Sequence, residues 1–270
     1  MRVGVSTASL FMRRENDEAL PVLDSLGIEH AEVFLTSFRE YSKAYGEKLA
    51  SRKGKVKINS VHALNTQFEP QLFNRHRGVK EDSYQVLQGV LDAANAFGAQ
   101  YYTFHAITRA KKAARLAEND NFPYLREQFG EICAYCKRAG VTLCLENVEW
   151  ATYNRPGVFK EISAGVPDLM GVLDIKQARL SEYPYHRYLE EMGEKLAYAH
   201  ISDIDEKGKM CLPGMGIFNF DEMIKRLKDV GFDGALLIEA YEKDYNAEAE
   251  LKTACDYVKE LLYKNGVNES

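Results

Sequence analysis

No stretch of the 270-residue chain approaches the roughly 20 consecutive apolar residues that a membrane span needs. The opening Met1-Arg2-Val3-Gly4-Val5-Ser6 runs straight into a strand-like segment and lacks the apolar core of a secretory signal. No membrane partner is expected, and the cytoplasm is the expected location. Cysteine is sparse: Cys133, Cys136, Cys144, Cys211 and Cys255 are odd in number and scattered, which excludes a disulfide framework. Cys133 and Cys136 form a lone CxxC inside a helical pattern with no second pair, so they read as structural residues and not as a zinc site. Positive charge is in deficit, with 35 Lys and Arg against 40 Asp and Glu and a net charge of −5. Proteins that hold a nucleic-acid backbone usually carry a basic face, so small-molecule chemistry is expected and a nucleic-acid partner is not. The dinucleotide fingerprint GxGxxG is missing; Gly214-Met215-Gly216 lacks both a preceding strand and the third glycine. A Walker-type phosphate loop is missing too.

What the chain does contain is alternation. Short apolar runs rich in Val, Ile, Leu and Tyr predict strands at 3–6, 30–35, 55–62, 100–105, 141–146, 170–174, 196–201 and 235–239. Amphipathic stretches predict helices at 17–26, 79–97, 122–139, 220–230 and 247–262. Gly27, Gly98, Gly140 and Gly231 each stand between a helix and the next strand, the position of a helix C-terminal glycine. Eight such units predict an α/β fold, a single (β/α)8 TIM barrel over residues 1–270. Linkers and low-complexity segments are absent. Whether the barrel forms a homo-oligomer is left open.

Catalytic groups of such barrels come from the carboxyl ends of the strands. Here strand 5 ends in Glu146, strand 6 in Asp174, strand 7 in His200 and strand 8 in Glu239. With 40 acids and six histidines in 270 residues, about one position in six qualifies, so four consecutive matches would arise by chance about once in a thousand. Ionised groups flanked by apolar strand residues are costly unless paired or metal-bound, so the four are expected to share one divalent ion. Three carboxylates and one imidazole favour Mn²⁺ first, with Mg²⁺, Co²⁺ or Zn²⁺ as alternatives.

His62 and His105 end strands 3 and 4 across the mouth and are expected to bind substrate. Trp150, just after Glu146, is expected to wall the pocket or stack on a sugar ring. Lys176 and Gln177 follow Asp174 closely enough to hydrogen-bond a substrate oxygen. Glu32, inside strand 2, reads either as a support for the metal ligands or as a substrate contact. His30, His76 and His186 read as structural. The segment 202–219, with Asp203, Asp205, Lys207 and Lys209, reads either as a lid or as an ordinary solvated loop.

Leu145-Glu146-Asn147, Val172-Leu173-Asp174, Ala199-His200-Ile201-Ser202-Asp203, Leu212-Pro213-Gly214-Met215-Gly216 and Ile238-Glu239 together make the chain resemble the xylose isomerase-like barrel superfamily over essentially its whole length. That group joins sugar-phosphate isomerases and epimerases with endonuclease-four-type AP endonucleases. The resemblance implies that Glu146, Asp174, His200 and Glu239 hold the metal and that Glu146 and Glu239 move substrate protons. It also implies that His62 and His105 match histidines that bind further zinc in the nuclease branch and contact substrate in the sugar branch. Gln177 stands where the nucleases and many epimerases carry histidine, and the Asp-x-His pattern after strand 7 is missing, His200 being the last histidine. The expected activity is isomerisation or epimerisation of a sugar or sugar phosphate by proton abstraction next to a carbonyl, through a metal-stabilised enediolate. Dehydration of a keto-polyol on the same site is the alternative; AP endonuclease activity and a non-catalytic sugar-binding role rank below it.

Overall fold

A computed structural model describes residues 1–64, 68–109 and 121–267. Eight parallel strands close into a barrel: β1 (Arg2–Ser6), β2 (His30–Leu35), β3 (Lys57–Ala63), β4 (Tyr101–Phe104), β5 (Thr142–Glu146), β6 (Met170–Asp174), β7 (Leu196–Ile201) and β10 (Ala235–Ile238), which pairs back onto β1. A small antiparallel pair, β8 (Asp203–Ile204) and β9 (Met210–Cys211), stands in the segment between β7 and β10. The expected (β/α)8 TIM barrel is therefore the observed architecture.

Strand boundaries fall within two residues of the expected ones. β3 starts at Lys57 and not at 55, because Lys53, Gly54 and Lys55 turn out of helix α2 (Lys43–Arg52). β4 ends at Phe104, which leaves His105 one residue beyond the strand. Among the described residues four helices went unread in the sequence: α2, α5 (Val158–Ser163), α6 (Ile175–Leu180) and α7 (Tyr185–Met192). Each is short. The ten residues of α2 bury only Gly46 and Leu49, too little apolar repeat to register as a periodic stripe. Helices α1 (Asn16–Ser25), α3 (Arg77–Phe97), α4 (Phe122–Arg138), α8 (Phe220–Asp229) and α9 (Ala249–Lys264) match their amphipathic patterns. Cys133 and Cys136 are buried on α4 as free thiols whose pKa values burial pushes up, as packing residues require.

Strand side chains alternate, and in a barrel that alternation sorts them between the inside and the helix layer. The outward set joins the large core between strands and helices. The inward set stacks in layers. Cys144, Val172, Tyr198 and Leu237 form an apolar floor in a cluster of their own. Two residues further along the same four strands stand Glu146, Asp174, His200 and Glu239. The floor thus holds the four candidate ligands at one height in the barrel.

Closure between β1 and β2 depends on a missing side chain. A Cβ built on Gly4 would lie 2.2 Å from the His30 carbonyl oxygen, an impossible approach. Gly4→Ala must push the two strands apart and is expected to cost about 1–3 kcal/mol or more in urea unfolding; an unchanged midpoint would refute this close approach.

Candidate metal centre and active site

His200 is the hub of the site. Its Nδ1 lies 2.6 Å from Glu146 Oε1 and 2.8 Å from Glu239 Oε2, and its Nε2 lies 3.0 Å from Glu32 Oε1. Glu146, Asp174, His200 and Glu239 are all buried, and one ligand atom from each lies within 4.8 Å of the others. His62, His105 and Glu146 form a second convergent group, and Glu32, His62 and Glu239 a third. The structure thus brings together every strand-end residue that the sequence singled out.

Local sequence explains the register. Asn147 follows Glu146, and its side chain bridges to β6: Nδ2 donates to the Asp174 carbonyl at 2.8 Å, and Oδ1 accepts from the Asp174 amide at 2.8 Å. Asp174 caps helix α6, its Oδ1 accepting from the Gln177 amide at 2.8 Å. The Glu239 amide prolongs the ladder beyond β10 by donating to the Ile201 carbonyl at 3.0 Å.

The charges are mutually sustaining. Burial opposes ionisation of Glu146, but the His200 and His105 imidazoles outweigh it and hold the carboxyl at about 2. Burial likewise opposes the Glu239 charge, and Lys176 with His200 drives its pKa down instead. Burial disfavours imidazolium at His200, yet Glu32, Glu239 and Glu146 raise its pKa well above the usual value. Asp174 is the exception: burial wins over Lys176 and lifts its pKa from 3.8 to about 6. Lys176 is buried 3.3 Å from Glu239 and 3.7 Å from Asp174, and its pKa is raised, so it stays a cation.

Glu32 is fully buried and receives Ser6 Oγ at 2.9 Å, Ser60 Oγ at 2.8 Å and Thr103 Oγ1 at 2.6 Å. Of its two sequence readings the geometry favours support: every oxygen is engaged from inside the barrel, and the carboxylate braces the far nitrogen of His200. His105 Nε2 meets Glu146 Oε2 at 2.5 Å, and its ring stands edge-on to His62 at 4.8 Å and to Trp150 at 5.2 Å. Neither nitrogen of His62 has a hydrogen-bond partner. Gln177 is buried, and its Oε1 accepts from the Glu149 amide at 3.2 Å, which ties it to the loop after β5. His30 is buried at the start of β2, while His76 and His186 lie at the ends of helices away from the hub.

Asp203 turns out to be a loop organiser. Its carboxylate accepts from the amides of Ile204, Gly214, Gly216 and Phe218 at 2.8–3.1 Å. Asp205 does the same on a smaller scale for Lys207 and Lys209. Sequence reasoning missed Glu69, a fully buried acid beside β4 whose pKa burial raises to about 7. No strand end or motif marks it, and only the fold reveals its neighbours.

The sequence model described as xylose isomerase-like TIM barrel matches residues 20–261. The chain belongs to this family. Fructoselysine 3-epimerase of Escherichia coli O157:H7 is 24% identical over 167 residues, 60% of this chain and 60% of that protein. The chain therefore matches less than two thirds of the length of its curated relatives. Among solved structures, the IolI protein with a binding zinc atom superposes with a TM-score of 0.78 at 18% identity, covering 98% of this chain and 99% of that one. D-Psicose 3-epimerase from Clostridium cellulolyticum H10, solved with D-tagatose, gives a TM-score of 0.78 at 15% identity and full coverage of both chains. At these identities the superpositions establish a shared fold. No helix among the described residues is long and apolar enough to cross a membrane.

Asp174 carries a measurable cost. A carboxyl whose folded pKa is raised stabilises the protein only while protonated, so the contribution is intact below 3.8 and lost as pH rises through about 6. Asp174→Asn keeps the shape without the charge. In chelator-treated protein it is expected to raise stability by about 2–3 kcal/mol near pH 8 and to leave it nearly unchanged near pH 4. Urea unfolding at the two pH values checks this, and an equal gain at both would refute it.

Proposed function

We propose that the chain is a divalent-metal-dependent sugar epimerase or isomerase that moves a proton on a carbon next to a carbonyl. The observation that carries this reading is the convergence of two carboxylates, Glu146 and Glu239, on one side of the same imidazole nitrogen at 2.6 and 2.8 Å. Two bases aimed at one small volume are what proton removal and return require. The family membership and the epimerase named among the relatives support it.

The donor set fits a divalent ion. Three carboxylates converge with one imidazole into a hard-to-borderline oxygen and nitrogen cage. Glu146, Asp174, His200 and Glu239 would hold it, Mn²⁺ being the first expectation and Mg²⁺, Co²⁺ or Zn²⁺ the alternatives. Such an ion supplies positive charge where a substrate oxygen becomes negative.

The protein's own groups do the rest. Glu146 and Glu239 stay ionised against burial, so neither carries a proton at neutral pH. One removes the proton; the other returns one to the opposite face of that carbon in epimerisation, or to the neighbouring carbon in isomerisation. Lys176 keeps its proton beside Glu239 and is placed to donate a hydrogen bond to a substrate oxygen. His62 offers its Nε2 to hydroxyl groups, His105 orients Glu146, Trp150 walls the pocket behind His105, and Gln177 has its amide nitrogen to offer. A cavity of about 430 Å³ lies beyond Phe34, whose ring is 4.8 Å from His62, and its lining is largely charged, with Arg13, Arg14, Glu15, Glu18 and Glu40.

Metal loss is expected in Asp174→Ala and His200→Ala, with elemental analysis as the check; wild-type stoichiometry in both would refute the ligand set. Glu146→Gln and Glu239→Gln are each expected to lose about 10²–10⁴-fold in turnover while still binding substrate, because an amide cannot accept the proton. A screen of ketoses, keto-polyols and their phosphates for solvent deuterium incorporation reads this directly. Full exchange and turnover in either variant would overturn the proton-transfer roles.

A further inference from the structure

We infer that Glu69 is a positioning residue whose carboxylate fixes the backbone at His105 and Ala106 and thereby sets where the His105 imidazole meets Glu146. The inference rests on the proton-transfer reading above for its effect on rate, but the geometry can be tested without it.

Glu69 opens a short 3-10 helix (Glu69–Phe73) after β3 and lies between the barrel wall and the helix layer. It is fully buried. Its Oε1 accepts from Tyr102 Oη at 2.6 Å, and its Oε2 accepts from the His105 amide at 2.9 Å and the Ala106 amide at 3.3 Å. These two amides lie just past the end of β4, where the chain leaves the sheet. Ala106 stands at φ 66°, in the left-handed region that a residue with a Cβ enters at a cost of about 1–2 kcal/mol. The carboxylate thus binds two successive amides at a strained corner, and that corner points His105 into the barrel mouth. There the ring is boxed between His62 and Trp150 with Nε2 on Glu146.

A carboxylate is what this place requires. An apolar side chain would fill the volume, but it would leave two buried amides and a buried hydroxyl without acceptors, each costing about 1–3 kcal/mol. Without the anchor, Ala106 relaxes toward negative φ. Because His105 is joined directly to Ala106, its Cα–Cβ bond then turns and the imidazole leaves Glu146. Glu69 touches no reacting atom, so it acts through His105 alone.

The test compares Glu69→Leu, Glu69→Gln and Tyr102→Phe in the zinc-loaded full-length protein, using ¹⁵N-labelled histidine to follow the His105 ring by NMR. Glu69→Leu is expected to move the His105 ring signals toward those of free histidine. Its kcat should fall about 10- to 100-fold, as for other groups that orient a site residue, with KM little changed. Glu69→Gln keeps an oxygen for the two amides and can donate to the Tyr102 hydroxyl, so its His105 signals and rate should stay near wild type. Adding Ala106→Gly to Glu69→Leu should recover part of the rate, because glycine takes a positive φ without strain; a packing role would not be rescued this way. Unmoved His105 signals in Glu69→Leu would overturn the inference. If that variant does not fold, folded Tyr102→Phe decides, since it leaves both amide bonds in place: an undisturbed His105 supports the anchor and a displaced one refutes it. Should the wild type turn over no sugar, the proposed activity fails while the His105 signals still judge Glu69.

Discussion

Three carboxylates gathered around one buried imidazole are the constraint on which the rest of the barrel mouth depends. Glu146, Glu239 and Glu32 all reach His200, and none has bulk water to spread its charge. Like charges about 4 Å apart repel by about 4 kcal/mol at an effective dielectric of about 20, so the cluster persists only where opposite charge and donors are supplied. The protein supplies them in rings. Lys176 faces Glu239 and Asp174, His62 faces Glu32 at 3.6 Å, and three hydroxyls from β1, β3 and β4 close on Glu32 from below. The compensating groups come from β1, β3, β4 and the start of α6. Charge compensation and barrel closure are therefore one construction.

Part of the support behind the site consists of side chains bonded to the backbone. Asn147 laces β5 to β6 through both amide atoms, Asp174 caps α6, and Glu69 holds the corner after β4. Side chains that bind main-chain groups cannot drift without breaking the chain path itself. That suits chemistry in which a base must stand within a fraction of an ångström of its proton.

Much of this was legible in the sequence, for physical reasons that can be named. A barrel strand buried on both faces must be apolar, so the first polar residue after an apolar run marks the mouth; that rule located Glu146, Asp174, His200 and Glu239. Period-two alternation locates the floor beneath them just as directly, through Cys144, Val172, Tyr198 and Leu237. Glu32 was visible as an acid in an apolar strand, but its partners Ser6, Ser60 and Thr103 come from three other strands, and only closure brings them together. Helices such as α6 and α7 were unreadable because six to eight residues give too few turns for a stripe. Glu69 was unreadable for a different reason. Its role is to satisfy amides of a turn 36 residues away, and amides have no letter in the sequence.

Asp203 has a consequence for how this scaffold diversifies. It lies three residues beyond the His200 hub, yet its carboxylate is spent entirely on the amides of its own loop, at Ile204, Gly214, Gly216 and Phe218. The loop is knotted at its base, and the hairpin tip between β8 and β9 hangs from that knot. The tip also touches α6, where the Arg179 guanidinium donates to the Gly208 carbonyl at 3.4 Å. The rim of the mouth is therefore held twice, by Asp203 at its base and by Arg179 at its tip, so a change of length between β8 and β9 has to keep both ties.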